Sequence, residues 1–284
     1  MGIAFFITLA ILVVEAAGGI ISNSLALLSD AGHVLTDVAA IGLSWYALRQ
    51  ARRPPSHKMT YGYFRTGILA AFINAVSLII IALVIGWEAY GRLANPEPVA
   101  GYAMFISAAI GLTANLYMGL AMRDDNDLNV RSAVLHMLGD AAASAGVILG
   151  GVIIIFTGWY IVDPVLSLAI ALLIAAGAWR LIKETVAILM EGTPVDISLE
   201  QVIESLMDNE GVREIHDIHV WAINRGKNAL SCHVVVDGSM TVEEGQELLR
   251  KIEHDLLHLG INHTTIQFED NSHPHEKQLL CSIY

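Results

Sequence analysis

Residues 25–48 read LALLSDAGHVLTDVAAIGLSWYAL, and the meaning of Asp30, His33 and Asp37 within that stretch decides the fold. As a helix it is long enough to cross a hydrocarbon core, which takes about 20 apolar residues. Ionisable groups at such depth cost about 2.5–3.5 kcal/mol each even on the lenient insertion scale, so they need a partner or a function. A second stretch offers both: residues 133–157 read AVLHMLGDAAASAGVILGGVIIIFT and contain His136 and Asp140. In each the spacing is H-x-x-x-D. On a helix that spacing rotates by about 40° and rises about 6 Å, so imidazole and carboxylate share one face, one turn apart. Two such faces turned toward each other supply two nitrogens and two carboxylate oxygens, a set that closes a tetrahedron around a zinc-type ion. The bland alternative is a structural hydrogen bond within each helix. One H-x-x-x-D arises by chance in many chains; two copies in two apolar spans argue for ligands.

Working outward, six stretches qualify as spans: about 3–22, 25–48, 66–91, 99–122, 133–157 and 162–189. If both chain ends face the cytoplasm, nine basic residues (Arg49, Arg52, Arg53, Lys58, Arg65, Arg123, Arg131, Arg180 and Lys183) lie inside and only Arg92 outside. That asymmetry fixes the orientation. Asn95-Pro96-Glu97-Pro98 and Gly158-Trp159-Tyr160 read as tight external turns, and small residues such as Gly18, Gly19, Gly146, Gly150 and Gly151 allow the spans to pack as one bundle. The apolar N-terminus lacks the positive region and cleavage site of a signal peptide and is read as the first span. Hydrophobic residues make up 55% of the 284-residue chain and charged ones 15%, values that place it outside the range of ordinary soluble domains.

From Glu191 onward the pattern turns soluble. The segment 191–284 carries 17 acidic and 6 basic residues, against 11 and 10 in 1–190, and 8 of the 11 histidines. An acidic, histidine-bearing segment favours a cation over nucleic acid as partner. Ser198 with Gln201 and Thr241 with Glu244 signal two capped helices, and 212–223, 229–236 and 264–269 have strand composition. The order helix, strand, strand, helix, strand describes a small α+β domain. The expected layout is therefore a six-helix transmembrane domain at 1–190, a cytosolic α+β metal-binding domain at 191–270 and a loose tail at 271–284. Cys232 and Cys281, without any C-x-x-C, supply neither a disulfide framework nor a thiolate zinc site.

With these residues in hand the chain resembles the cation diffusion facilitators, zinc-type metal/proton antiporters. The resemblance rests on Ser24 to His33 with Asp37, on Tyr61-Gly62-Tyr63-Phe64-Arg65, on His136 to Asp140, on Asp163-Pro164, and on a C-terminal domain similar to a metallochaperone with a ferredoxin-like fold. It implies a homodimer in the inner (plasma) membrane that exports zinc, with cadmium as a second cargo, in exchange for protons by alternating access. It implies that His33, Asp37, His136 and Asp140 form the transport site, and that His216, His233, His263 and Glu269 hold a further, regulatory zinc in the cytosol. Arg65 and Glu191 match the family's inner charge pair. His57 is present in the loop after span two, but Met59 stands where a second histidine is common. Among other polar residues in the spans, Glu15, Asn74 and Asn115 are expected to hydrogen-bond between helices, with proton movement as the alternative for Glu15. Asp163 is expected to cap span six, and Asp30 to stand behind the ligands.

Other classes lack their signatures. An intramembrane zinc hydrolase needs an open coordination position and a general base, and neither H-E-x-x-H nor an equivalent is present. A metal sensor or scaffold explains the cytosolic histidines but not two ligand pairs in the membrane. No nucleotide-binding glycine loop accompanies the spans, so a secondary transporter, not an enzyme or an ATP-driven pump, is the expectation.

Overall fold

The computed structural model describes residues 2–122, 128–224, 226–270 and 279–280. Six helices come first: α1 (Gly2–Ser22), α2 (Leu25–Ala51), α3 (Thr66–Ala94), α4 (Gly101–Met122), α5 (Leu128–Thr157) and α6 (Val162–Leu189). Each is long and apolar enough to cross a membrane. They match the six expected stretches, with α5 beginning five residues before the expected 133. The second part follows as α7 (Leu199–Met207), β1 (Glu214–Asn224), β2 (Lys227–Val235), α8 (Val242–His258) and β3 (Ile261–Glu269), the expected order. The chain divides into two compact units, Met1–Arg49 with Ala70–Ile182, and Gln50–Leu69 with Lys183–Tyr284.

In the first unit the helices meet through small residues. A Cβ added to Gly101 of α4 would stand 3.1 Å from the Gly151 carbonyl oxygen of α5, so the two backbones approach as only glycine allows. The core joins Leu27, Ala82, Ala89, Met104, Ala108, Val147 and Ala178. Arg92, the one basic residue expected outside, ties the turns at that end together: it donates to the Asn23 carbonyl oxygen (2.8 Å) and pairs with Glu88 (3.0 Å) and Glu97 (3.6 Å). Asn23 itself holds φ 54°, a left-handed conformation that asparagine tolerates, and so separates α1 from α2.

The start of α2 fixes where His33 and Asp37 stand. A helix begins with four N–H groups that lack helical partners, and in lipid each needs a protein acceptor. All four have one. Ser24 N–H reaches the Gly19 carbonyl (3.1 Å), Leu25 and Ala26 N–H donate to the Asp163 carboxylate (2.7 and 3.3 Å), and Leu27 N–H donates to Ser24 Oγ (3.1 Å). The Ser24 hydroxyl also donates to Asp163 Oδ1 at 2.6 Å. Asp163 is thus a cap, but of α2 and not of its own helix: Val162 and Asp163 already lie inside α6, so its carboxylate is free to reach across.

In the second unit three strands lie in the order β1-β2-β3, antiparallel then parallel. The apolar faces of α7 and α8 join the sheet in a core of Val202, Leu206, Ile218, Leu230, Ile252 and Leu256. The Thr241–Glu244 capping box forms as expected, and the Thr241 N–H and hydroxyl hold the Glu244 carboxyl below its ordinary range. Ser198 accepts from the Gln201 N–H as expected, while its hydroxyl donates to Glu200 (2.7 Å). Gly260, at φ +82°, ends α8 and turns the chain into β3. The loop Arg123–Asp127 and the tail residues His273, His275 and Cys281 lie outside the described residues. Of the tail, the Leu279 carbonyl accepts from the Ile218 N–H (3.0 Å).

Candidate metal centre

Capped at Asp163, α2 carries His33 and Asp37 one turn apart, and α5 carries His136 and Asp140 at the same spacing. The structure brings all four together: one ligand atom from each lies within 4.8 Å of the others. The four imidazole–carboxylate edges are His33–Asp140 3.4 Å, His136–Asp37 3.4 Å, His136–Asp140 3.7 Å and His33–Asp37 3.9 Å. The two shortest join different helices, so the pairs are not closed hydrogen bonds within each helix. A tetrahedral zinc with ligands at 2.0–2.2 Å separates its donor atoms by about 3.3–3.6 Å. These four edges lie within a few tenths of an ångström of that geometry, and the other donor pairs lie within 4.8 Å. Asp140 is the most enclosed member at 13% exposed, and His136 the most open at 52%. The four residues therefore present a way in on the His136 side.

Asp30, one turn before His33, stays out of the cluster; its Oδ2 accepts from the Ser144 hydroxyl at 3.1 Å and it is buried. Glu15 departs from the expected interhelical hydrogen bond: it is fully buried, and neither carboxylate oxygen has a hydrogen-bond partner among the described residues.

A second cluster lies on the sheet of the other unit. His216 of β1 stands opposite His233 of β2, and Glu269 at the end of β3 reaches both: His216–Glu269 is 3.3 Å and His233–Glu269 2.9 Å. These three donors lie within 4.8 Å of one another. His263, expected with them, does not join. The parallel register places it opposite Ala229, whereas Gln267 is the residue opposite His233, and the His263 ring stands exposed, 6.0 Å from that of Tyr61. Two residues apart in register is one step along a strand face; four is beyond reach of a shared ion.

Sequence reasoning passed over Asp217. It adopts φ 52°, and the β1–β2 register shifts between His216 and His219, the mark of a bulge. The bulge turns the Asp217 carboxylate to His233 (3.6 Å) and His219 (3.1 Å). The signal available in the sequence is the pattern Ile215-His216-Asp217-Ile218, where apolar residues recur after three positions instead of two. Cys232, a residue of β2 opposite Ile266, is buried, and burial pushes its thiol up to about 12. Arg65 and Glu191 form the expected pair at 3.2 Å, exposed on both sides and therefore worth about 0–1 kcal/mol.

Residues 1–190 match the family model described as the cation efflux transmembrane domain, and 194–271 match the cation efflux protein cytoplasmic domain. A cadmium, cobalt and zinc/H(+)-K(+) antiporter of Bacillus subtilis is 43% identical over 283 residues, covering 98% of this chain and 91% of its own. The zinc transporter ZitB of Escherichia coli is 41% identical over 271 residues, covering 94% of this chain and 85% of its own. Among solved structures, the metal-bound C-terminal domain of the CzcD transporter from Cupriavidus metallidurans aligns with 26% of this chain and 99% of its own at 36% identity and TM-score 0.24.

Proposed function

The chain belongs to the cation diffusion facilitator, or cation efflux, family of multi-pass membrane transporters that export divalent metal cations, and from that premise we propose that it exports zinc, and cadmium less selectively, in exchange for protons. His33, Asp37, His136 and Asp140 are the transport site. The observation that carries this reading is the convergence of two imidazoles and two carboxylates with edges of 3.4–3.9 Å in apolar helices. Nitrogen and oxygen donors in a four-membered set suit zinc and cadmium better than the oxygen-only shells of magnesium or calcium.

The same donor set supplies the coupling. Metal binds neutral imidazole and ionised carboxylate, and protons compete for both, so a site open to the cytoplasm loads metal and one open to the other side exchanges it for protons. Alternating access of the two faces then moves metal outward. The basic residues of the loops support a cytoplasmic location for both chain ends in the plasma membrane, and the match of 194–271 to a cytoplasmic domain agrees with it. We read the protein as a homodimer.

The test is zinc flux in proteoliposomes. With a pH gradient of the right sign, zinc is expected to move against its own gradient while the pH gradient dissipates; metal movement indifferent to the gradient would overturn proton exchange. The cytosolic cluster suits a regulatory zinc held by His216, His233 and Glu269, with the fourth position left to water or another donor. His233→Ala removes a central donor there. It is expected to shift the zinc concentration at which flux is half-maximal by about 10-fold or more while leaving the maximal rate within about twofold. Loss of all flux in a well-folded His233→Ala protein would instead assign that cluster to transport itself.

A further inference from the structure

Glu15 lies near the middle of the otherwise uncharged α1, with no exposed surface and no hydrogen-bond partner for either carboxylate oxygen among the described residues. Space is kept for it. A Cβ added to Gly111 of α4 would lie 2.2 Å from Glu15 Oε1, and the Ser144 hydroxyl of α5 lies 3.6 Å from that same point. Ser144 in turn donates to Asp30 Oδ2 of α2 at 3.1 Å, and Asp30 precedes His33 by one turn. The acids whose charge reaches Glu15 are Asp30 from α2 and Asp140 from α5. The described part of α4 has no acidic or basic residue, and its tyrosines 102 and 117 are exposed.

Among the described residues no hydrogen-bond donor reaches either oxygen to stabilise an anion in this place, and a residue kept only for packing is better served by an apolar side chain of the same volume. Membrane-buried acids persist where they do chemistry, and the chemistry open to a lone carboxylate among carboxylates is protonation. We infer that Glu15 is a proton-binding site separate from the metal centre, and that Ser144 and Asp30 connect it to α2 at the level of His33. The carboxylate takes up one proton in one access state and releases that proton in the other, so that one of the protons exchanged for each metal ion travels on Glu15 and not on the four ligands. This inference rests on the proton-exchange reading above.

The experiment compares wild type with Glu15→Gln, reading zinc and proton movement together in proteoliposomes and zinc binding by the purified proteins. Glu15→Gln keeps the shape and cannot cycle a proton. It is expected to bind zinc like wild type but to exchange one proton fewer per zinc, so that its steady-state zinc accumulation falls about tenfold for each pH unit of imposed gradient. An unchanged proton count in a zinc-transporting Glu15→Gln protein, with wild type coupled, overturns the Glu15 assignment alone. No proton movement in wild type overturns the exchange reading and this inference with it. If Glu15→Gln does not fold, Glu15→Asp and Gly111→Ala decide. The first is expected to keep the full proton count; the second, which drives a methyl group onto Oε1, is expected to displace the pH at which flux is half-maximal. Loss of a proton by the first, or no displacement by the second, also overturns it.

Discussion

Asp140→Ala is expected to lower zinc flux by at least about 100-fold while leaving the protein folded. Removing a group that merely orients a ligand costs 10- to 100-fold in metal affinity, and Asp140 stands closer than that. Its Oδ1 is 3.4 Å from His33 and its Oδ2 3.7 Å from His136, so one carboxylate spans both imidazoles. Without it the two histidines face only Asp37, and three donors cannot close the tetrahedron without water. The cluster's uneven exposure ranks the members. His136, half open, sits where water can replace it, so His136→Ala is expected to retain more flux than Asp140→Ala. Flux is measured by a zinc dye trapped in proteoliposomes, and folding by size-exclusion chromatography in detergent. Normal flux in Asp140→Ala would remove the four residues from the transport path and return them to a structural role.

How far the sequence carried this reading depended on the range of the interaction. The H-x-x-x-D pairs were legible because the helical period alone puts each histidine and aspartate on one face, and because ionisable residues in apolar stretches demand an explanation. The facing of His216 and His233 was legible from two consecutive strands. The failures are all of another kind. Asp163 caps α2 from 139 positions away, a partnership no local pattern announces, and its place before Pro164 pointed instead to its own helix. His263 was assigned by resemblance, but the register of the parallel β2–β3 pair decides which residue meets His233, and a crossover through α8 leaves that register unmarked in the sequence. Asp217 was hidden because a bulge breaks the alternation that strand reading relies on.

Asp163→Ala is the second large effect, and it acts on stability. The carboxylate has no exposed surface and accepts three hydrogen bonds, from the Ser24 hydroxyl and from the N–H groups of Leu25 and Ala26. Hydrogen bonds to a charged group contribute about 1.5–3 kcal/mol, and a buried donor left without an acceptor costs about 1–3 kcal/mol. Alanine strands at least two backbone donors where water is scarce, so a loss on the order of 3 kcal/mol is expected, a drop of roughly 6–12 °C in the thermal midpoint in detergent. Asp163→Asn separates charge from geometry. Its single carbonyl oxygen can still serve Ser24 and Ala26, which share Oδ1, but its amide group meets the Leu25 N–H donor to donor, so an intermediate loss is expected. The consequence reaches the metal. Fraying of the first turn of α2 shifts His33 and Asp37 against α5, and the two shortest edges of the cluster run between those helices. Zinc is therefore expected to raise the midpoint of Asp163→Ala less than that of wild type, because the ion must first restore the turn that holds half of its ligands. Equal midpoints for Asp163→Ala and wild type would mean that α2 is positioned by its packing alone.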